Sequence, residues 1–133
     1  MISEWSKPFP ADQVMDWMYA QPRADLAISV LTYHEVIYGI EKQDVGQRRT
    51  RIEEWFARDL RDIIQDRIIP VGRLIAQRWT EIRAEARAKG CKIPELDSGI
   101  MATASVYGLT VVTRDLKHFG PVGLPIVNPW VDG

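Results

Sequence analysis

The chain has 133 residues, enough for one compact domain and too few for two. Hydrophobic residues make up 46% and charged residues 26%, as in globular proteins, and no apolar run approaches the roughly 20 residues of a membrane helix. The formal net charge of -1 excludes attraction of nucleic acid by overall charge, so such contact would require local basic patches or metal ions. The single cysteine, Cys91, excludes an internal disulfide, and the lack of an apolar leader predicts a cytoplasmic protein without membrane contact.

The first half of the chain alternates helical and strand patterns. Residues 10–20 combine an initial proline with apolar residues at helical spacing, and residues 26–28 form a short apolar run typical of a buried parallel strand. Ser29 is a candidate cap for the helix that follows. Another helical pattern begins at Gln47, and its predicted apolar stripe consists of Ile52, Trp55, Phe56, Leu60 and Ile63.

The second half continues the alternation. A short strand is predicted at residues 68–71, a long helix at 73–89 and a further helix at 95–107, with Gly90 and Gly108 as the terminating residues. The long helix is expected to bury Leu74, Ile75, Trp79, Ile82 and Ala86. Strands are predicted at residues 109–113 and 125–127, with a turn at 115–119 between them. These elements predict an α/β fold, a short parallel sheet flanked by helices.

Three acidic residues lie where such a sheet would gather them. Glu35 is in the helix after the first predicted strand, Asp97 begins a helix, and Asp115 follows the strand that ends at residue 113. Two carboxylates about 4 Å apart repel by roughly 4 kcal/mol at an effective dielectric near 20, and a divalent ion such as Mg²⁺ or Mn²⁺ converts that repulsion into binding. Water on such an ion can attack a phosphodiester. The alternative is structural, since acids at helix starts and turns are common.

Four segments, in the correct order, resemble motifs of PIN-domain toxins of the VapC and FitB type. Residues 26–40, LAISVLTYHEVIYGI, resemble the segment S-x-x-T-x-x-E-x-x-x-G-I, and residues 97–104, DSGIMATA, resemble D-x-x-I-A-A-x-A. Residues 109–119, LTVVTRDLKHF, resemble L-x-x-V-T-R-N-x-x-D-F, and residues 127–130 resemble the closing x-N-P-W. Each motif is weak alone, whereas their shared order along nearly the whole chain is specific.

The resemblance implies a PIN-like three-layer fold and a metal-dependent endoribonuclease that hydrolyses RNA phosphodiester bonds with a metal-activated water. Such proteins use Mg²⁺ or Mn²⁺ and are often the toxin component of a type II toxin–antitoxin system. The implied partners are an RNA substrate, a cognate antitoxin and a second copy of the chain in a homodimer.

The same resemblance assigns the site residues. Glu35, Asp97 and Asp115 match the catalytic and metal-binding acids, although many relatives have Asn at the third position. Residues at the rim of the site would be Thr32, Thr113, Arg114 and His118. His118 stands where an Asp usually precedes the Phe, which removes one oxygen donor.

The first ten residues, MISEWSKPFP, depart from the family pattern. They resemble the segment after the family's first strand, hydrophobic-L-D-T-N-V, so the central strand of the sheet and its Asp have no counterpart. We therefore expect a single PIN domain over residues 1–133, truncated at its N-terminus relative to the family. A start codon assigned too late and a decayed gene both explain this, and the well-kept motifs favour the first.

The functional alternative is a catalytically impaired module that binds an antitoxin or dimerises without cleaving RNA.

Arginines are concentrated in two helical segments, residues 48–61 and 73–87. We interpret most of them as solvated helix faces, paired with glutamates three or four residues away. Contact of a few arginines with RNA phosphates is the alternative.

Overall fold

The computed structural model describes residues 12–65, 67–113 and 123–128 of the chain. The described helices are α1 Asp12–Ala20, α2 Val30–Glu41, α3 Gln47–Trp55, α4 Arg61–Ile64, α5 Arg73–Ala88 and α6 Glu95–Tyr107. The described strands are β1 Ile28–Ser29, β2 Ile68–Ile69, β3 Val111–Val112 and β4 Ile126–Val127. Within these residues, no helix combines the length and the apolar character that crossing a membrane requires.

The strands form two parallel pairs. Ile28 of β1 aligns with Ile68 of β2, and Val111 of β3 aligns with Ile126 of β4. Parallel strands flanked by helices confirm the predicted α/β fold. In the described part of the chain no strand joins the two pairs. The predicted truncation concerns the beginning of the chain, and residues 1–11 lie outside the described ranges, so it stays a prediction.

Helix α2 begins as the sequence predicts. Ser29 has extended backbone angles, φ -70° and ψ 147°, and its Oγ accepts a hydrogen bond of 3.1 Å from the backbone N–H of Leu31. This side chain satisfies one of the backbone donors that a helix leaves free at its N-terminus, a contribution of about 1 kcal/mol. The cap therefore fixes where β1 ends and α2 starts, six residues before Glu35.

Helix α3 continues through a π-helical turn, Phe56–Leu60, into α4. Ile52, Trp55 and Leu60 of the predicted stripe are buried. Ile64, which the predicted stripe omits, is also buried. The wider turn changes the angular spacing of the side chains, so a stripe drawn with uniform α-helical spacing goes out of register after it.

Helices α5 and α6 form an antiparallel hairpin, since the two are joined by a short loop and pack against each other. Helix α5 ends in a Schellman motif, in which Cys91 N–H donates to Ala86 O at 2.8 Å and Gly90 N–H donates to Arg87 O at 3.1 Å. Gly90 has a φ of 69°, a conformation that glycine adopts without strain, as predicted for this helix end. The expectation that Leu74 is buried is wrong, because its exposed fraction is 62%, whereas Ile75 and Ile82 are buried as predicted.

The core consists of two clusters, one on each side of β3. The α2–α3 cluster contains Met18, Leu26, Ile28, Val36, Ile40, Ile52, Trp55, Leu60, Ile64 and Val112. The α5–α6 cluster contains Ile75, Ile82, Ile100, Met101, Ala102, Ala104 and Val111. The neighbours Val111 and Val112 belong to different clusters because successive strand residues point to opposite faces. Strands between two helical layers are the predicted three-layer arrangement.

Candidate active site

The structure brings together the two helices that carry Glu35 and Asp97. A Cβ placed on Gly99 of α6 would lie 2.5 Å from Leu31 Cδ1 of α2 and 3.0 Å from Trp79 Cζ2 of α5. A glycine is therefore what permits α6 to approach α2 so closely. Asp97 lies two residues before Gly99, and Glu35 lies one helical turn after Leu31.

Glu35 and Asp97 are both half-buried. Asp97 occupies the first turn of α6, where the helix dipole stabilises a negative charge. Glu35 lies beside Val36, a buried core residue, on the half-buried side of α2. Each of the two has an interaction partner within the protein, as half-buried charged groups generally do.

Thr32 differs from the other threonines in helices. Its exposed fraction is 0%, and its Oγ1 has no hydrogen-bond partner among the described residues. Each other helical threonine named here donates its hydroxyl to the carbonyl four residues earlier: Thr50, Thr80 and Thr103. Thr32 is the third residue of α2, so the carbonyl four residues earlier belongs to β1 and not to its helix. This buried hydroxyl, three residues before Glu35, is left available on the same side of α2.

The remaining predicted site residues are placed only in part. Thr113 is completely buried at the end of β3, and its N–H donates to Val127 O at 3.0 Å. Arg114, Asp115 and His118 lie outside the described residues. Within the described ranges, no three His, Cys, Asp or Glu side chains lie close enough together to hold a metal ion. A cluster that includes Asp115 therefore stays a prediction.

Ser98 also belongs to this region, although its sequence pattern does not identify it as a site residue. It is buried, its Oγ accepts a 2.8 Å hydrogen bond from Trp79 Nε1, and it donates a 2.6 Å hydrogen bond to Glu95 O. These bonds tie the first turn of α6, which contains Asp97, to α5. The sequence does show a serine among the first residues of a helix that begins after proline. It does not show that this serine bonds to Trp79 on the neighbouring helix.

Most arginines with a described ion pair contact a glutamate three or four residues away, as the sequence predicts. Arg49 Nε lies 3.0 Å from Glu53 Oε1, and Arg78 Nη1 lies 3.0 Å from Glu81 Oε2. Arg58 pairs with Glu54 at a longer distance, 3.8 Å. These pairs are solvent-exposed on at least one side, so each contributes little to stability.

Comparison with known proteins agrees with this geometry. The family model for the PIN domain matches residues 5–120, and the chain belongs to the PIN-domain family. The toxin FitB of Neisseria gonorrhoeae is 30% identical, over 99% of this chain and 95% of its own length. The VapC ribonuclease Y4jK of Sinorhizobium fredii is 32% identical, over 98% of this chain and 93% of its own length. The resemblance to VapC and FitB toxins drawn from the four motifs is thereby confirmed.

Solved structures show the same fold. The FitAcB structure from Neisseria gonorrhoeae matches with a TM-score of 0.82 and 28% identity, covering 98% of this chain and 99% of that one. The DNA-bound VapBC structure from Salmonella typhimurium matches with a TM-score of 0.74 and 26% identity, covering 90% of this chain and 86% of that one. The PIN-like fold predicted from the sequence is confirmed.

Proposed function

We propose that this chain is a metal-dependent endoribonuclease and the toxin half of a toxin–antitoxin pair. The observation that carries the proposal is the close contact between α2 and α6, the helices that hold Glu35 and Asp97. The ribonuclease name of the VapC relative and the toxin name of FitB support the activity. The DNA-bound VapBC structure and a toxin–antitoxin complex from Klebsiella pneumoniae, 26% identical, support an antitoxin as partner.

The residues present fit a divalent cation. Carboxylate oxygens are the ligands that Mg²⁺ and Mn²⁺ prefer, and Glu35 and Asp97 are half-buried carboxylates on two helices in contact. The unpartnered hydroxyl of Thr32, within the described residues, is a further oxygen on the same helix. Glu35 and Asp97 would hold the ion together with Asp115. When bound, the ion supplies a polarised water and neutralises charge on the phosphodiester.

The chain's own residues then have defined tasks. Gly99 allows the two acidic helices to approach, and the hydrogen bonds of Ser98 hold the first turn of α6 against α5. This pre-positioning matters because catalytic groups displaced by about 1 Å can lose on the order of 100-fold in rate. Thr32 would donate a hydrogen bond to a bound oxygen, and the lack of a partner for its hydroxyl in the described part of the chain supports this role.

Conservative replacement of the acids tests the proposal. We expect Glu35→Gln and Asp97→Asn each to lower the rate of RNA cleavage in Mg²⁺ or Mn²⁺ by at least roughly 100-fold, because each removes an anionic metal ligand. The free energy of unfolding should change by less than about 1 kcal/mol, since shape is conserved. Glu41→Gln, on the exposed end of α2, is the matched control and should retain full cleavage. Wild-type rates in both site variants would refute the proposal.

The alternative is a module that binds an antitoxin or dimerises without cleaving RNA. The toxin–antitoxin complexes among the matching structures support a protein partner under either function. The same cleavage assay separates the two functions. A wild-type chain that binds its antitoxin and cleaves no RNA in either metal would establish the alternative.

A further inference from the structure

A cavity of about 390 Å³ opens where α5 ends and α6 begins. Its charged lining residues are Arg83, Arg87 and Lys92, and no acidic residue lines it. Ser98, which lies next to Asp97 in the first turn of α6, forms part of its wall. The cavity therefore adjoins the turn that carries one of the proposed metal ligands.

The positive charge of this cavity is only partly compensated. Arg83 Nη1 lies 3.5 Å from Glu95 Oε1, and both side chains are well exposed. In the part of the chain that the structure describes, Arg87 and Lys92 form no ion pair. Arg78, nine residues before Arg87 on α5, shows the contrast, because it contacts both Glu81 and Glu85. Concave surfaces with unpaired cations concentrate positive potential.

The backbone holds these cations in a defined arrangement. The Schellman motif turns the chain back at Gly90, so that Lys92 and Arg87 line one cavity from opposite sides of the turn. The buried Ser98 anchors the opposite wall through its bond from Trp79. The backbone therefore presents both exposed cations to the same cavity.

We propose that this cavity binds a phosphate of the RNA backbone next to the cleavage site, which extends the ribonuclease function proposed above. Arginine presents a planar pair of donors that matches phosphate oxygens, and lysine adds a compact charge. A chain with net charge -1 needs such a local patch to hold RNA. RNA is favoured over an acidic protein segment because the cavity shares the first turn of α6 with Asp97.

Charge reversal tests the cavity through RNA binding rather than cleavage. The probe is a fluorescein-labelled single-stranded RNA, and its Kd is measured by anisotropy across a range of salt concentrations. The double variant Arg87→Glu/Lys92→Glu should raise Kd on the order of tenfold and lower the slope of log K against log salt by about 1.4, for two lost phosphate contacts. In cleavage assays KM should rise while kcat stays within about twofold. Arg48→Glu/Arg51→Glu on α3 makes the same charge change and should alter Kd less than twofold.

Three outcomes would overturn the inference. The first is an unchanged Kd and salt slope in the cavity variant, with a thermal midpoint that shows it is folded. The second is an equal loss in the α3 variant, which would indicate a net-charge effect. The third is weakened antitoxin binding with RNA binding retained, which would assign the cavity to a protein partner. A wild type that binds RNA through this cavity yet cleaves none would refute the proposed nuclease while leaving the phosphate site intact.

Discussion

The two core clusters are packed in different ways. In the α5–α6 cluster the consecutive residues Ile100, Met101 and Ala102 have exposed fractions of 0%. The small residues Ser98 and Gly99 allow the neighbouring helices to pack closely against α6. The α2–α3 cluster instead borders a cavity of about 280 Å³. The lining of that cavity includes Ile28, Tyr33, Phe56, Leu60, Ile64 and Ile68. The 390 Å³ cavity at the end of α5 is lined by no residue of the α5–α6 cluster, whereas Ile28, Leu60 and Ile64 of the α2–α3 cluster line the 280 Å³ cavity themselves.

The difference in packing between the two clusters follows the size of their side chains. Small side chains let α6 approach α2 and α5 closely. The other side combines bulky side chains with a π-helical turn, and these side chains leave the cavity between them. Unfilled volume forfeits dispersion contacts, so the residues that border it contribute less to stability.

The largest expected effect compares truncations in the two clusters. Ile100→Ala should lower the free energy of unfolding by about 4 kcal/mol, because a fully enclosed site cannot collapse around the lost atoms. Leu60→Ala should cost only about 2–3 kcal/mol, because Leu60 already borders a cavity. Urea denaturation of both variants measures the difference. Equal costs would show that the two clusters are packed alike.

A smaller effect is expected from added volume. Gly99→Val should destabilise the protein by about 1–3 kcal/mol and lower cleavage, since its side chain would force Leu31 and Trp79 aside. Ile68→Phe adds volume beside the 280 Å³ cavity and should change stability by less than about 1 kcal/mol. Thermal denaturation and RNA cleavage, run side by side, test the pair. Tolerance of valine at position 99 would contradict the close contact of α2 and α6.

The smallest effect concerns the hydroxyl of Thr32. Thr32→Val removes a buried donor without a partner in the described structure and should raise the free energy of unfolding by about 1 kcal/mol, while cleavage falls. Thr103→Val is the control, because that hydroxyl already donates to Gly99 O at 2.9 Å and its removal should not stabilise. A Thr32 variant that is less stable than wild type would contradict the assignment.

Much of the fold was predictable because its signals are local. The alternation of strands and helices, the serine cap at residue 29 and the glycine ends at 90 and 108 were all predicted and are all present. One error arose where a uniform period was assumed. Ile64 is buried beyond a π-helical turn that residue spacing alone does not reveal. The error at Leu74 has another cause, because this residue lies about 100° around α5 from Ile75 and so falls outside the buried stripe.

The site was predictable only as a set of residue types. The motifs that contain Glu35, Asp97 and Asp115 indicate the chemistry, and the family match over residues 5–120 confirms the family, while the roles of the three acids stay predictions. They do not indicate that Ser98 ties α6 to α5, or that Gly99 sets the distance between α2 and α6. Those contacts join residues far apart in the chain.

The amino-acid sequence by itself determined the α/β class, the helix ends and the family, since capping, periodicity and motif order are properties of neighbouring residues. Only the tertiary structure decided which helices meet, which hydroxyl is left without a partner in the described chain and which arginines retain unpaired charge. The physical reason is that packing and electrostatic compensation depend on distances through space, and a residue's neighbours in sequence do not set those distances.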